Sequence, residues 1–221
     1  MRARAIVIGG TGLVGSQLLD QLQEDTRFEK VVSLVRRKSG REHPKLDEHV
    51  IDFRSKDSWS PLIEGSQGDV LFSTLGTTLR LAGSQAAQYE VDYTFQYRIA
   101  EQAAAAGVKR YVLVSSSGAN WNSSLFYTRM KGELERDVEK LPFSRIRILR
   151  PGLLAGERAK RRPLEGVGQV VVSALKFLPG VRQYRPVPAK TVARAMIRAW
   201  SEDGADLEIY GPEQVFELGE R

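Results

Sequence analysis

The chain contains no cysteine among its 221 residues, which excludes disulfides, thiolate metal sites and cysteine nucleophiles. Histidine is nearly absent as well. His43 lies in a polar connection and His49 at the start of a strand-like run, too few and too scattered for a metal cluster or a Ser–His triad. No apolar run approaches the roughly 18 residues of a membrane span, and no secretory leader precedes the first strand-like run. A cytoplasmic location without membrane contact is therefore expected. Acidic excess is missing too, since the net charge is +6. All of that excess sits between Arg145 and Arg162, where Arg145, Arg147, Arg150, Arg158, Lys160, Arg161 and Arg162 face one acid, Glu157. A nucleic-acid-binding face would spread its charge more widely, so this segment reads as a local anion site or a solvated loop.

What the chain does have is glycine in one place. Residues 6–15 read IVIGGTGLVG, a buried strand running into a bare turn. Gly10, Gly12 and Gly15 form G-x-G-x-x-G, and Gly9, Gly12 and Gly15 equally form G-x-x-G-x-x-G. Either spacing gives a tight turn, room for a pyrophosphate and close helix–strand packing. Val14, Leu18 and Leu22 then recur every four residues along an amphipathic helix, whose first N–H groups are free to cradle an anion. Gly9, Thr11, Gly12, Leu13, Val14 and Gly15 are the candidate phosphate-binding residues.

Apolar runs at Ala5–Ile8, Val31–Val35, Val50–Phe53, Val70–Ser73, Tyr111–Ser115, Ile146–Leu149 and Leu207–Tyr210 alternate with helical patterns at Gly12–Glu24, Ser84–Ala106, Leu125–Lys140, Gly166–Phe177 and Ala189–Ser201. This alternation predicts an α/β fold, a doubly wound and mostly parallel Rossmann sheet with helices on both faces. The length suits a single domain, with 152–190 forming a small C-terminal cap on the substrate side. Ligands in such a sheet sit beyond the carboxyl ends of the strands.

Those ends carry the candidates. The second strand closes with Arg36 and Arg37 where an NAD-selective protein places an acid, so two guanidiniums face a 2′-phosphate and NADP(H) is the expected cofactor. Asp52 and Phe53 end the third run and are placed to meet the adenine, the first by hydrogen bond and the second by packing. Leu75, Gly76 and Thr77 follow the fourth and run beside pyrophosphate and nicotinamide ribose. Tyr127 and Lys131 lie four apart on one helix face, so the ammonium can stabilise a tyrosinate and make the phenol a general acid. Ser115, Ser116 and Ser117 close the preceding strand, with Ser116 and Ser117 the candidates for holding a carbonyl oxygen.

The order GGTGLVG, LGTT, VDYTFQYRIAEQAAAAGVKRYVLVSS, Y-T-R-M-K and ILRPGLL resembles an atypical, extended-like short-chain dehydrogenase/reductase, in particular the Tat-interacting oxidoreductase branch. The resemblance implies NADP(H), Tyr127 as proton donor and Lys131 holding the nicotinamide ribose. It also implies that Arg150, Pro151, Gly152, Leu153 and Leu154 flank the nicotinamide and that Arg162 reaches cofactor or substrate. Asp92 departs from the asparagine usual in extended members, and the segment after Leu149 is shorter than their substrate domain.

Tyr89, Tyr93 and Tyr97 form a stripe on the 84–106 helix, to be covered by another element of the chain or by a second subunit in a homodimer. The function expected is an NADP(H)-dependent oxidoreductase that reduces a carbonyl or oxidises the corresponding alcohol. The alternative is an NADPH-binding regulatory protein with little turnover, acting through a protein partner. A nucleotide-sugar epimerase holding NAD is disfavoured by Arg36, Arg37 and the short final segment. Arg158, Lys160, Arg161 and Arg162 after the sixth strand predict an anionic small-molecule substrate.

Overall fold

The computed structural model describes residues 2–155 and 186–221. Its first strand shows how the fold is built. In β1 (Ala3–Ile8), Ala5 and Val7 face one layer of the core while Ile6 and Ile8 face the other. A strand apolar on both faces can be satisfied only between two helix layers. β2 (Phe28–Val35), β4 (Val70–Ser73), β5 (Arg110–Val114) and β6 (Arg145–Leu149) behave likewise, and β3 (Leu46–Val50) and β9 (Leu207–Tyr210) complete a seven-stranded sheet. Its order is β3-β2-β1-β4-β5-β6-β9 and every pairing is parallel. The fold is the Rossmann arrangement, in which the winding reverses between β1 and β4 and opens a crevice at their carboxyl ends.

On one face, α1 (Leu13–Glu24), α6 (Ala189–Ser201) and α7 (Pro212–Glu220) pack Leu18, Leu22, Met196, Trp200 and Val215 against Val7 and Phe72. On the other, α2 (Ser60–Ser66), α4 (Gln85–Tyr89, resuming as Phe95–Ala105) and α5 (Phe126–Val138) bring Ile63, Ile99, Ala103, Leu134 and Val138 onto Ile6 and Leu71. Each fully buried aliphatic side chain contributes about 1.5–3 kcal/mol, so the two layers hold the strand ends rigidly in place.

Five elements differ from the sequence expectation. The third strand is Leu46–Val50 rather than Val50–Phe53. It is a sheet edge, where LDEHV is tolerated because Asp47 pairs with Lys30 at 2.7 Å across the strand boundary. The helices α2, α3 (Leu79–Ala82) and α7 were not expected. α7 did carry a start signal, with Pro212 in its first turn and Gln214 Oε1 accepting from the Gly211 N–H at 2.8 Å. Finally, the 84–106 helix is not uniform. α4 runs as Gln85–Tyr89, widens into a π-helical turn at Glu90–Thr94, and resumes as Phe95–Ala105.

The expected helix at Gly166–Phe177 and most of the expected cap lie outside the described residues. At its edges, β7 (Leu154–Ala155) pairs with β8 (Val187–Pro188), while Ala189 and Lys190, placed in the cap by the sequence, open helix α6.

Candidate functional site

The glycine turn resolves the register that the sequence leaves open. Gly9 has φ +83°, a left-handed conformation, and a Cβ there would lie 2.5 Å from the Thr74 carbonyl carbon and 2.6 Å from Leu75 N. Only glycine fits both demands. At Gly15 a Cβ would collide with the Gly9 carbonyl oxygen, so the motif in use is Gly9, Gly12, Gly15. Gly12 caps α1 with no side-chain bond, and the first helical bond runs from Ser16 N to Gly12 O at 3.0 Å. The N–H groups of Leu13, Val14 and Gly15 thus have no acceptor in the helix, and Thr11 is exposed at the tip of the turn. A bare backbone, open amides and the positive end of a helix dipole fit a pyrophosphate. Gly15→Ala should lower stability by about 1–3 kcal/mol through overpacking and weaken NAD(P)H binding; urea unfolding and calorimetry measure the two effects.

Arg36 and Arg37 follow β2 exposed, and their side chains make no hydrogen bond or ion pair among the described residues. No acid has taken their place. Asp52 is exposed beyond β3, and its Oδ1 accepts from the Arg54 N–H at 2.9 Å. Phe53 is 3% exposed, and its ring lies 5.6 Å from that of Phe95, centroid to centroid, at the edge of the core.

The exit of β4 is tied to two other elements. Thr74 Oγ1 donates to Ile8 O at 2.8 Å, holding Leu75 beside the glycine turn. Beyond the exposed Gly76, the Thr77 N–H donates to Asp92 Oδ2 at 2.8 Å, and Asp92 Oδ1 lies 3.3 Å from Lys131 Nζ. Asp92 is 1% exposed and Lys131 4%. Burial pushes the Asp92 carboxyl above its ordinary value, with Lys131 and the Thr77 amide opposing the rise. Asp92 stands in the π-helical turn, where the i→i+4 ladder is loosened. Its backbone carbonyl accepts from Gln96 Nε2 at 2.6 Å, and Gln96 Oε1 accepts from Ser73 Oγ at 2.6 Å. Sequence reasoning noticed Asp92 only as a departure from the family pattern and missed its pairing with Lys131.

Tyr127 opens α5 one turn before Lys131, 41% exposed and without a hydrogen bond among the described residues. The loop between β5 and α5 is fastened at both ends, by Ser117 N to Pro151 O and Asn120 N to Thr128 O, each 3.0 Å. Ser117 is exposed and Ser116 half-buried, whereas Ser115 Oγ is buried with no partner among the described residues. An orphaned hydroxyl at a strand end asks for a ligand or water, so Ser115 joins the two serines named from sequence.

Much of the basic segment serves structure. Arg150 grips Glu135 through Nη2–Oε2 at 2.5 Å and Nε–Oε1 at 3.1 Å, Arg145 pairs with Asp203 at 2.7 Å, and the buried Arg147 lies 3.4 Å from Glu208. Arg158, Lys160, Arg161 and Arg162 fall outside the described residues. Leu153 is exposed, and Leu154 sits half-buried on β7. The tyrosine stripe is met by the same chain. Tyr89 donates to Glu133 at 3.0 Å, Tyr93 to Asp137 at 2.8 Å, and the rings of Tyr89 and Tyr93 stack at 4.7 Å. Burial, with Glu133 adding to it, pushes the Tyr89 phenol up to about 12. Among the described residues, no group of three or more His, Cys, Asp or Glu could hold a metal ion, and no helix is long and apolar enough to cross a membrane.

A Rossmann sheet with a bare glycine turn at the start of α1, and with the described candidates near the same carboxyl edge, defines a dinucleotide-binding fold. A family model described as NAD(P)H-binding matches residues 9–203, and the chain belongs to that family. Protein FMP52-1, mitochondrial, of Scheffersomyces stipitis is 41% identical over 178 residues, covering 80% of this chain and 77% of its own. Protein fmp52, mitochondrial, of Aspergillus fumigatus is 36% identical over 202 residues, covering 89% and 86%. Among solved structures, the Bordetella bronchiseptica enzyme WbmH in complex with NAD+ shares the fold, with a TM-score of 0.71 at 16% identity over 100% of this chain and 80% of that one. The mitochondrial names of the relatives overturn the expected cytoplasmic location.

Proposed function

We propose that the chain is an NADP(H)-dependent oxidoreductase of the short-chain dehydrogenase/reductase kind, in the branch its motifs resemble, acting on a small carbonyl compound or the corresponding alcohol. One observation carries the reading. The carboxyl edge of the sheet gathers a bare helix start, two guanidiniums with no partner among the described residues, and an exposed phenol one turn from a buried ammonium.

In this reading Gly9, Thr11, Gly12, Leu13, Val14 and Gly15 receive the pyrophosphate, and Arg36 and Arg37 the 2′-phosphate. Asp52 offers its carboxylate to the adenosine end. Leu75, Gly76 and Thr77 line the path towards the ribose, which Lys131 holds, and Leu154 flanks the far end. The bound cofactor supplies or accepts hydride. Tyr127 gives its phenolic proton to the substrate oxygen and takes it back in the reverse direction, while a hydroxyl of Ser116 or Ser117 donates a hydrogen bond to that oxygen. The loop that carries the serines is fastened by backbone hydrogen bonds to Pro151 and Thr128.

The 2′-phosphate assignment is tested by calorimetry. The parent should bind NADPH more tightly than NADH. Because each charge-assisted contact is worth about 1.5–3 kcal/mol, replacing both Arg36 and Arg37 by alanine should remove most of the preference while sparing NADH. Equal affinity of the parent for the two nucleotides would withdraw the assignment.

A further inference from the structure

The Asp92–Lys131 pair is more than a departure from a family pattern. A buried carboxylate has two acceptor oxygens, and both are engaged by donors from different elements: Oδ1 by Lys131 Nζ on α5, and Oδ2 by the Thr77 N–H after β4. Asparagine has one acceptor oxygen and an NH2 group. In either amide orientation one of the two donors would face another donor inside a buried site. The chemistry of the pocket therefore selects aspartate over asparagine.

The carboxylate is itself fixed from behind. The π-helical turn sets Asp92 into the core, and its backbone carbonyl is anchored through Gln96 to Ser73 at the end of β4. Ser73 precedes the very loop that Thr77 closes. Asp92 is thus held by one end of the β4 exit and holds the other, with Lys131 on its remaining oxygen. A Cβ added at Gly76 would lie 3.3 Å from Asp92 Oδ1, so the loop passes directly over the carboxylate.

We infer that Asp92 is a positioning residue that locks Lys131 and the Leu75–Thr77 loop into one unit, setting the ammonium and the loop together where the nicotinamide half of the dinucleotide is received. The inference rests on the proposed role of this edge in NADP(H) binding. It assigns no contact between Asp92 and the cofactor; the carboxylate acts through Lys131 and Thr77. A buried ammonium on a four-carbon stem has several rotamers available, and the carboxylate selects one of them before the ligand arrives, which reduces the ordering cost of binding.

NADPH titration by calorimetry on the full chain tests this, using the parent, Asp92→Asn, Lys131→Met, and the double variant, each first shown to be folded by circular dichroism at the assay temperature. Asp92→Asn should weaken NADPH by about tenfold or more, the scale of one misplaced charge-assisted contact. Because Asp92 acts largely through Lys131, the double variant should bind only slightly more weakly than Lys131→Met alone. Two effects that simply multiply would give Asp92 an independent structural role and overturn the inference, as would unchanged affinity in Asp92→Asn. If the parent fails to bind NADPH, the proposed function falls and takes the inference with it; binding by the parent with an indifferent Asp92 removes the inference alone. Should a single variant fail to fold, amide exchange in the parent decides. The Thr77 N–H should be protected and become slower still with NADPH, and exchange at the rate of open chain in both states would overturn the tie.

Discussion

If the proposed function holds, Tyr127→Phe should keep NADPH affinity within about twofold of the parent and lower turnover by about 10²–10⁴-fold, the range a positioned general acid supplies. The substitution removes one oxygen and leaves the ring. That oxygen makes no hydrogen bond among the described residues and the side chain is 41% exposed, so its loss leaves no internal partner unsatisfied and stability should hold within about 0.5 kcal/mol. The split between binding and rate is what identifies a proton donor. Calorimetry gives the affinity, and initial rates on a substrate found for the parent give the turnover. A variant that turns over at nearly the parent rate would remove Tyr127 from the chemistry, and one that loses both properties would place it in cofactor binding.

Lys131→Met should be among the most destabilising substitutions at the site, by about 3–5 kcal/mol at neutral pH, because it leaves the Asp92 carboxylate buried without its cation. The pH dependence gives the effect a sign. Asp92 already titrates above its ordinary value in the folded protein, with burial the main cause and Lys131 restraining the rise. A carboxyl raised on folding contributes stability that is fully present below the unfolded value of about 3.9 and lost as pH rises through the folded value. Without Lys131 the folded value climbs further, so the variant should lose more stability than the parent as pH increases from about 4 towards neutrality. Urea unfolding across that range measures it. The paired replacement Asp92→Leu with Lys131→Met removes both charges and should return to within about 1–2 kcal/mol of the parent. A single variant as stable as the parent at neutral pH would show that the pair is not electrostatically coupled.

How much of this is legible in the sequence depends on the range of the interaction. The strand Val70–Ser73, buried throughout, and the helix Ala189–Ser201 coincide with the sequence expectation to the residue, because a fully apolar run and a strong helical stripe are local patterns, and the edge strand Leu207–Tyr210 coincides as well. The third strand was misplaced because an edge strand such as LDEHV draws its stability from cross-strand pairs like Lys30–Asp47 rather than from hydrophobicity. The packing of the Phe53 ring against Phe95 joins two elements far apart in the chain and does not follow from local pattern. The glycine motif was evident, yet its register needed the positive φ at Gly9 and the approach of Thr74, a residue 65 positions away. Long-range pairing hid the rest. Neither Asp92 with Lys131 nor Glu135 with Arg150 follows from spacing, because each joins elements that meet only in the folded protein. The π-helical turn that sets Asp92 inward has no composition of its own.

The measurement closest to the central claim is NADPH consumption by the purified chain against a broad panel of aldehydes and ketones, anionic and neutral, with Tyr127→Phe run in parallel. The account predicts oxidation of NADPH that depends on at least one carbonyl compound, with formation of the matching alcohol, and its loss in Tyr127→Phe. Tight NADPH binding with no carbonyl-dependent consumption across the panel would contradict it and favour a nucleotide-sensing protein that acts through a partner.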